Sequence, residues 1–274
     1  MSRIKAIVEH GKEELGILNN STQSNAASNN ATGNATTGKP AYQYSVTKTF
    51  DIDPRILTKN RLIAHDINDP RAKRFQVLRT KVLQEMRKKN WNTLAISSPT
   101  PDAGKSMLAA NLAVSIAMEG NQSVLLVDMD LSKPSIHKYF GMRPEYGIHD
   151  YFDGTTKIED MLVNPGIDRL VILPGKKGIV NSSEQISSPL VKSLVNELKS
   201  RYDARLVIFD LPPILISDEV LVFLPYVDCS LMVVESGKNT PKELENALES
   251  VGNNPLLGTV LNKSDQVGKL PIYN

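Results

Sequence analysis

The sequence predicts an α/β fold: a mostly parallel, twisted sheet with helices on both faces, carrying a phosphate-binding loop. Three stretches predict it. Residues 96–106 read I-S-S-P-T-P-D-A-G-K-S; they follow an apolar run from Asn92 to Ile96 and open onto a strong helix pattern, Met107 to Ala117. The stretch from Gln122 is apolar and ends in two carboxylates, Asp128 and Asp130, and the stretch from Arg205 ends in one, Asp210. A strand, a tight loop with Gly-Lys-Ser and a helix start present backbone N–H groups to an anion. In an open parallel sheet ligands bind beyond the carboxyl ends of the strands, so the three stretches deliver their polar residues to one place.

There, Lys105 is expected to reach the β- and γ-phosphates of a nucleotide, and Ser106 to offer its hydroxyl to Mg²⁺. A single aspartate at a strand end is commonly a turn residue or a helix cap. Three of them at two strand ends, with Gly104-Lys105-Ser106 at a third, are better explained by Mg²⁺ and a nucleotide. The usual loop pattern is G-x-x-x-x-G-K-[ST], and Pro99 stands where its first glycine belongs.

Taken from its start, the chain opens with residues 1–18, a short helix with apolar positions at 4, 7, 8 and 15 and Ser2 as its cap. Residues 19–40 are Asn, Ser, Thr, Ala and Gly almost throughout. They cannot bury enough apolar surface to offset ordering entropy, so a flexible linker is expected. Residues 41–68 read as an extended arm packed on the domain, with Tyr42 and Tyr44 accessible near the linker. Asp69-Pro70 signals a helix start, Asp as N-cap and Pro in the first turn. The helix runs to about Lys88, with Phe75, Leu78, Val82, Leu83 and Met86 on one side and a strongly basic remainder. The nucleotide-binding domain is assigned to residues 69–265. After the Asp128 strand come short helices around Ile148 and Lys157, a strand from Arg169 to Leu173, and a helix from Ser188-Pro189 into the Asp210 strand. Asp228 to Glu235 is a further strand. Thr240-Pro-Lys-Glu243 is a capping box opening a helix that leads to the last strand, Leu256 to Asn262. Strands alternating with helices specify a parallel sheet covered on both sides.

Bulk properties narrow the function. Across 274 residues the net charge is +2, too mild to argue for nucleic acid. The one cysteine, Cys229, excludes an internal disulfide framework and, inside a strand, reads as a buried inert thiol. No apolar run approaches the about 20 residues of a spanning helix, and no secretory signal is present. A cytoplasmic protein, attached to a membrane only peripherally or through a partner, is expected.

With these residues in place, the chain resembles the bacterial tyrosine kinases, the P-loop autokinases of capsule and exopolysaccharide loci. The matching motifs are S-S-P-T-P-D-A-G-K-S, L-L-V-D-M-D-L-S-K-P and V-I-F-D-L-P-P, followed in kind by S-I-H-K-Y-F-G. The leading helix, the polar linker, R-Y-D-A-R-L-V-I-F-D and V-L-N-K-S are similar to the stand-alone autokinases of exosortase-linked loci. The resemblance implies that the loop from Pro101 through Asp102, Ala103, Gly104, Lys105 and Ser106 to Met107 holds the phosphates of ATP. It implies that Ser106, Asp128, Asp130 and Asp210 surround Mg²⁺, that Asp128 orients or deprotonates a tyrosine hydroxyl, and that Asn262 lies against adenine; Lys105, Asp128 and Asp130 are the catalytic group. It also implies a membrane chain-length regulator of polysaccharide export as partner, and a homo-oligomer.

The chain departs from that family in three places. Asp102 replaces a glycine in P-G-E-G-K, which demands a tolerable backbone angle and either a carboxylate pointing away from phosphate or weaker ATP binding. Lys73, Gln76 and Arg79 occupy the oligomerisation pattern E-x-x-R-x-x-R, which argues against a ring assembled as in relatives. The tail, residues 266–274, offers only Tyr273 in place of a tyrosine cluster, leaving Tyr273, Tyr42 and Tyr44 as phosphoacceptor candidates. Two other functions compete: a non-kinase ATPase switch of the partition type, against which Thr100 argues because that class has lysine there, and a regulatory nucleotide-binding module without turnover.

Overall fold

The computed structural model describes residues 47–176, 178, 182–200 and 205–264. The expected N-terminal helix and linker, Tyr42, Tyr44 and the tail with Tyr273 lie outside the described residues. In chain order the elements are β1 (Lys48–Thr49), α1 (Pro54–Lys59), α2 (Ala72–Lys89), β2 (Thr93–Ser97), α3 (Lys105–Glu119) and β3 (Ser123–Asp128). Short helices α4 (Ile136–Tyr139), α5 (Ile148–Phe152) and α6 (Ile158–Met161) lead to β4 (Val163–Asn164) and β5 (Leu170–Leu173). Then come α7 (Ser182–Ile186), α8 (Pro189–Ser200), β6 (Arg205–Asp210), α9 (Glu219–Phe223), β7 (Cys229–Glu235), α10 (Pro241–Ser250) and β8 (Leu256–Asn262).

The strands form one sheet in the order β1-β4-β5-β3-β6-β2-β7-β8. Every neighbouring pair is parallel except β4 and β5, which meet antiparallel at Val163 and Ile172. The mostly parallel sheet expected from the sequence is the one found. Its central strands are buried on both sides, and their residues alternate between two cores. Leu94, Ile96, Val124 and Leu126 face the core shared with α2 and α3. Ala95, Leu125, Val127 and Phe209 face the core shared with α8, α9 and α10. Burying each Leu, Ile, Val or Phe is worth roughly 1.5–3 kcal/mol, so this two-sided burial, not strand propensity, holds the sheet.

Helix α3 is buried almost all round, from Leu108 to Ala117, wedged between the sheet and Val82, Leu83 and Met86 of α2. Helix α2 starts two residues later than Asp69-Pro70 suggests. Asp69 instead caps the turn before it, accepting from the Arg71 N–H at 2.8 Å and pairing with the Arg71 guanidinium at 2.6 Å. The segment expected as an extended arm also differs, because it contains α1. Asp53 accepts from the Arg55 N–H at 2.8 Å, and Pro54 occupies the first turn, the same start signal that the sequence shows at Asp69-Pro70. Leu57, Leu62 and Ala64 then join the core on the α3 side.

Asn111 holds this segment down. Fully buried on α3, its Oδ1 accepts from the N–H groups of Ile63 and Ala64 at 2.9 and 3.0 Å, and its Nδ2 donates to the Arg61 carbonyl at 2.9 Å. A second lock sits at the base of the sheet. Asp228 accepts from the N–H groups of Asn92 and Thr93 at 2.9 and 3.0 Å, its own N–H donates to Thr93 Oγ1, and Lys199 pairs with it at 2.8 Å. Thr240 and Glu243 form the expected capping box at the start of α10. Cys229 is fully buried and burial pushes its thiol up to about 12, as an inert thiol requires. No described helix is long and apolar enough to cross a membrane.

Candidate nucleotide-binding site

Strand register sets the site. Asp210 stands opposite Ile96 of β2 on one side and opposite Asp128 of β3 on the other, so three strand ends meet in one line. The loop leaving β2 is tied to the segment leaving β6: Ser97 Oγ donates to the Pro212 carbonyl at 2.6 Å, and the Ile214 N–H donates to the Ser98 carbonyl at 2.8 Å. Its turn back into α3 needs two left-handed residues, Asp102 (φ 65°) and Gly104 (φ 92°). Aspartate tolerates this region better than most side chains, and Asp102 takes the angle required of it with its side chain exposed. At Gly104 a side chain has no room, because a Cβ would collide with Asn262 Nδ2. That amide donates to the Ala103 carbonyl at 2.8 Å and so fixes the loop from the end of β8. On the far side Asn239 Nδ2 donates to Thr100 Oγ1 at 2.8 Å, and Lys238 Nζ donates to the Pro101 carbonyl at 3.3 Å.

Lys105, the first residue of α3, sends its ammonium back over the strand ends. It donates to Asp130 Oδ2 at 2.8 Å and Ser106 Oγ at 3.2 Å, and lies 3.8 Å from Asp210 Oδ1. Burial opposes its charge, but Asp210 and Asp130 outweigh burial and raise its pKa above the ordinary lysine value. Asp128 and Asp210 are wholly buried. Burial, then the charge of Asp210, pushes Asp128 up to about 8, although Asp128 Oδ2 accepts from the N–H groups of Ser135 and Ile136 at 2.8 and 2.9 Å. Burial pushes Asp210 up to about 6 against the pull of Lys105 and the Ser106 hydroxyl. Ser106 is near enough to exert that pull without closing a hydrogen bond of ordinary geometry; Asp128 Oδ1 and both Asp210 oxygens have no such bond.

Lys105, Ser106 and Asp130 line a cavity of about 860 Å³. Pro101, Asp102, Gly104, Lys105, Ser106, Met107, Asp130 and Asn262, all expected in the site, line it. Ala103 is buried beneath the loop, and Asp128 and Asp210 lie behind Lys105 and Asp130 rather than at the wall. The candidate acceptors Tyr42, Tyr44 and Tyr273 lie outside the described residues. Arg61, Tyr139 and Lys263, none of them named singly among the expected site residues, also line the cavity. Tyr139 lies in the S-I-H-K-Y-F-G stretch that leaves the Asp128 strand and Lys263 follows Asn262, whereas Arg61 comes from a segment that no motif marks.

Among the described residues no three His, Cys, Asp or Glu side chains form a metal cage by themselves. The donor set still suits a hard cation bound jointly with phosphate. Mg²⁺ takes few protein ligands, a hydroxyl and one or two carboxylates, and fills its octahedron with phosphate oxygens and water. Orphaned carboxylate oxygens with raised pKa values beside a serine hydroxyl match that partial shell.

What the fold and the loop define together is a P-loop nucleotide-binding domain. The family model for the CobQ/CobB/MinD/ParA nucleotide binding domain matches residues 94–274. The tyrosine-protein kinase YwqD of Bacillus subtilis is 31% identical over 193 residues, covering 70% of this chain and 80% of YwqD. The chain belongs to the CobQ/CobB/MinD/ParA nucleotide-binding family and, within it, to the bacterial tyrosine-protein kinases. The tyrosine-protein kinase ptk of Acinetobacter johnsonii is 30% identical over 164 residues, 59% of this chain. The chain spans only 22% of ptk, and 29% of the putative tyrosine-protein kinase EpsB of Ralstonia nicotianae. Among solved structures, the kinase domain of Escherichia coli tyrosine kinase ETK superposes with a TM-score of 0.70 at 26% identity, covering 85% of this chain and 89% of that one.

Proposed function

We propose that this chain is an ATP-dependent protein-tyrosine kinase, of the non-specific protein-tyrosine class, that phosphorylates itself or a partner and regulates exopolysaccharide or capsule polymerisation or export. The observation that carries the reading is the Lys105 ammonium, placed at the helix start between Ser106, Asp130 and Asp210. Phosphoryl transfer is mostly positioning and charge neutralisation, and these groups supply both.

In this reading Lys105 and the N–H groups of the loop bind the β- and γ-phosphates of ATP. Ser106, Asp130 and Asp210 hold Mg²⁺ with Asp128 behind them. When bound, the metal supplies neutralisation of charge developing on the transferred group. Asn262, already against Gly104, lies on the adenine side. Asp128, whose Oδ1 has no hydrogen bond, is the group proposed to orient or deprotonate the attacking tyrosine hydroxyl once substrate and metal are bound. Tyr273, Tyr42 and Tyr44 are the acceptors proposed for self-phosphorylation. A membrane chain-length regulator is the proposed partner, with the kinase cytoplasmic and held at the inner membrane through it, and self-association is proposed alongside.

Mass spectrometry of the full chain after incubation with Mg²⁺ and ATP, beside Lys105→Met, tests this. Phosphotyrosine in the wild type alone is expected. ATP consumption without phosphotyrosine on the chain or on added partner would return the protein to the ATPase switches.

A further inference from the structure

Arg61 enters the cavity from outside the nucleotide motifs. It lines the wall together with Lys105, Ser106 and Asp130. It is exposed, and its guanidinium makes no hydrogen bond or ion pair with another described residue. Its backbone, by contrast, is fixed on every side. Helix α1 ends in a Schellman motif: the Arg61 N–H donates to the Thr58 carbonyl at 3.0 Å and the Leu62 N–H to the Leu57 carbonyl at 2.9 Å, with Leu57 and Leu62 buried together. Asn111 Nδ2 holds the Arg61 carbonyl, and Asn60 Nδ2 donates to the carbonyls of Lys138 and Tyr139 at 2.9 and 3.1 Å.

Arg61 occupies the left-handed position of that motif, at φ 64°. Glycine fills this position at least cost because it has no Cβ. The fold has thus placed a long cation where its own geometry favours no side chain, clamped the backbone beneath it, and left the guanidinium without a partner among the described residues in the wall of the cavity. We propose that Arg61 is a phosphate-binding residue of the nucleotide site, contributed by the segment ahead of α2. A guanidinium presents paired N–H donors that match phosphate oxygens, which its neighbour Lys105 cannot do alone. The inference rests on the nucleotide reading above.

The test uses the full chain with Mg²⁺ and measures ATP and ADP affinity by displacement of a fluorescent nucleotide, together with the melting temperature. Arg61→Gly removes the guanidinium and relieves the backbone. It is expected to leave the melting temperature unchanged or raised while weakening ATP about tenfold, the usual size of one charge-assisted contact. Arg61→Lys is expected to recover part of that loss. A merely structural Arg61 would behave otherwise: affinity and melting temperature would fall together, which overturns the proposal. Unchanged ATP affinity in Arg61→Gly, with Lys105→Met weakened, overturns it and leaves the nucleotide reading standing. A wild-type chain that binds no nucleotide overturns both.

Discussion

Asp128 and Asp210 face each other in register at the ends of adjacent parallel strands, both without solvent exposure, and three of their four oxygens have no hydrogen-bond partner. Two carboxylates buried side by side destabilise the folded chain, and the cations that offset them are Lys105 and whatever the cavity binds. Replacing one carboxylate removes the repulsion and retains the shape. Asp128→Asn is therefore expected to stabilise the ligand-free protein by about 1–3 kcal/mol while abolishing phosphoryl transfer. Chemical denaturation beside a phosphotyrosine assay checks both; a destabilised variant would show that the pair is not in conflict.

Gly104 and Asn262 form a close fit. Gly104→Ala strains a left-handed residue and drives its Cβ into Asn262 Nδ2. A loss of about 1–3 kcal/mol is expected, with loss of nucleotide binding. Truncating the neighbour, Asn262→Ala, removes the collision, so the double variant should cost less than the two single losses added. A double-mutant cycle with no coupling would refute the contact.

Asp102 is held left-handed where glycine would be unstrained. Asp102→Gly is expected to change stability by no more than about 1 kcal/mol in either direction, since relief of strain opposes added chain entropy. ATP affinity should rise, because a carboxylate beside the phosphate loop is removed. Titration of both forms with a nucleotide analogue reads this directly; weaker binding in the variant would contradict it.

Asn111→Ala strips partners from the N–H groups of Ile63 and Ala64 and from the Arg61 carbonyl. Leaving buried polar groups unpaired costs about 1–3 kcal/mol. The loss should be local first, so hydrogen exchange is expected to accelerate at residues 57–64 before the sheet. Uniform acceleration would show that the segment is not separately held.

Asp228 supplies the pH dependence. Burial alone would raise its pKa, but the Lys199 ammonium, the Asn92 N–H and the Thr93 hydroxyl outweigh burial and hold it below the ordinary carboxylate value. Its contribution is therefore complete above the unfolded value, near about 4, and disappears as pH falls through the lower folded value. Asp228→Asn should cost about 1–2 kcal/mol at pH 7 and progressively less in acid. Thermal melts of both proteins from pH 7 to 3 should converge; parallel curves would exclude the ion pair as the cause.

Much of this was legible in the sequence for a local reason. The strand-loop-helix with Gly104-Lys105-Ser106, the strand-end Asp128, Asp130 and Asp210, and the Thr240 capping box are each written within a dozen residues. Asn262 was reached through resemblance alone. The clamp by Asn111 was not legible, because a lone asparagine inside an apolar helix pattern carries no mark of the backbone it will hold. Helix α1 was missed although Asp53-Pro54 announces it, since six residues give too little periodicity to outweigh the scattered pattern around them. Arg61 depends on three elements meeting and has no local signature at all.

The second oxygen of Asp128 reaches further than the cavity. It grips the first N–H groups of α4, whose last carbonyls grip Asn60 at the end of α1. A short relay thus joins a strand-end carboxylate to a helix that comes before every nucleotide motif in the chain. Reciprocity then follows from thermodynamics: whatever factor a bound nucleotide applies to the grip on α1, a force or partner acting on α1 applies to the nucleotide.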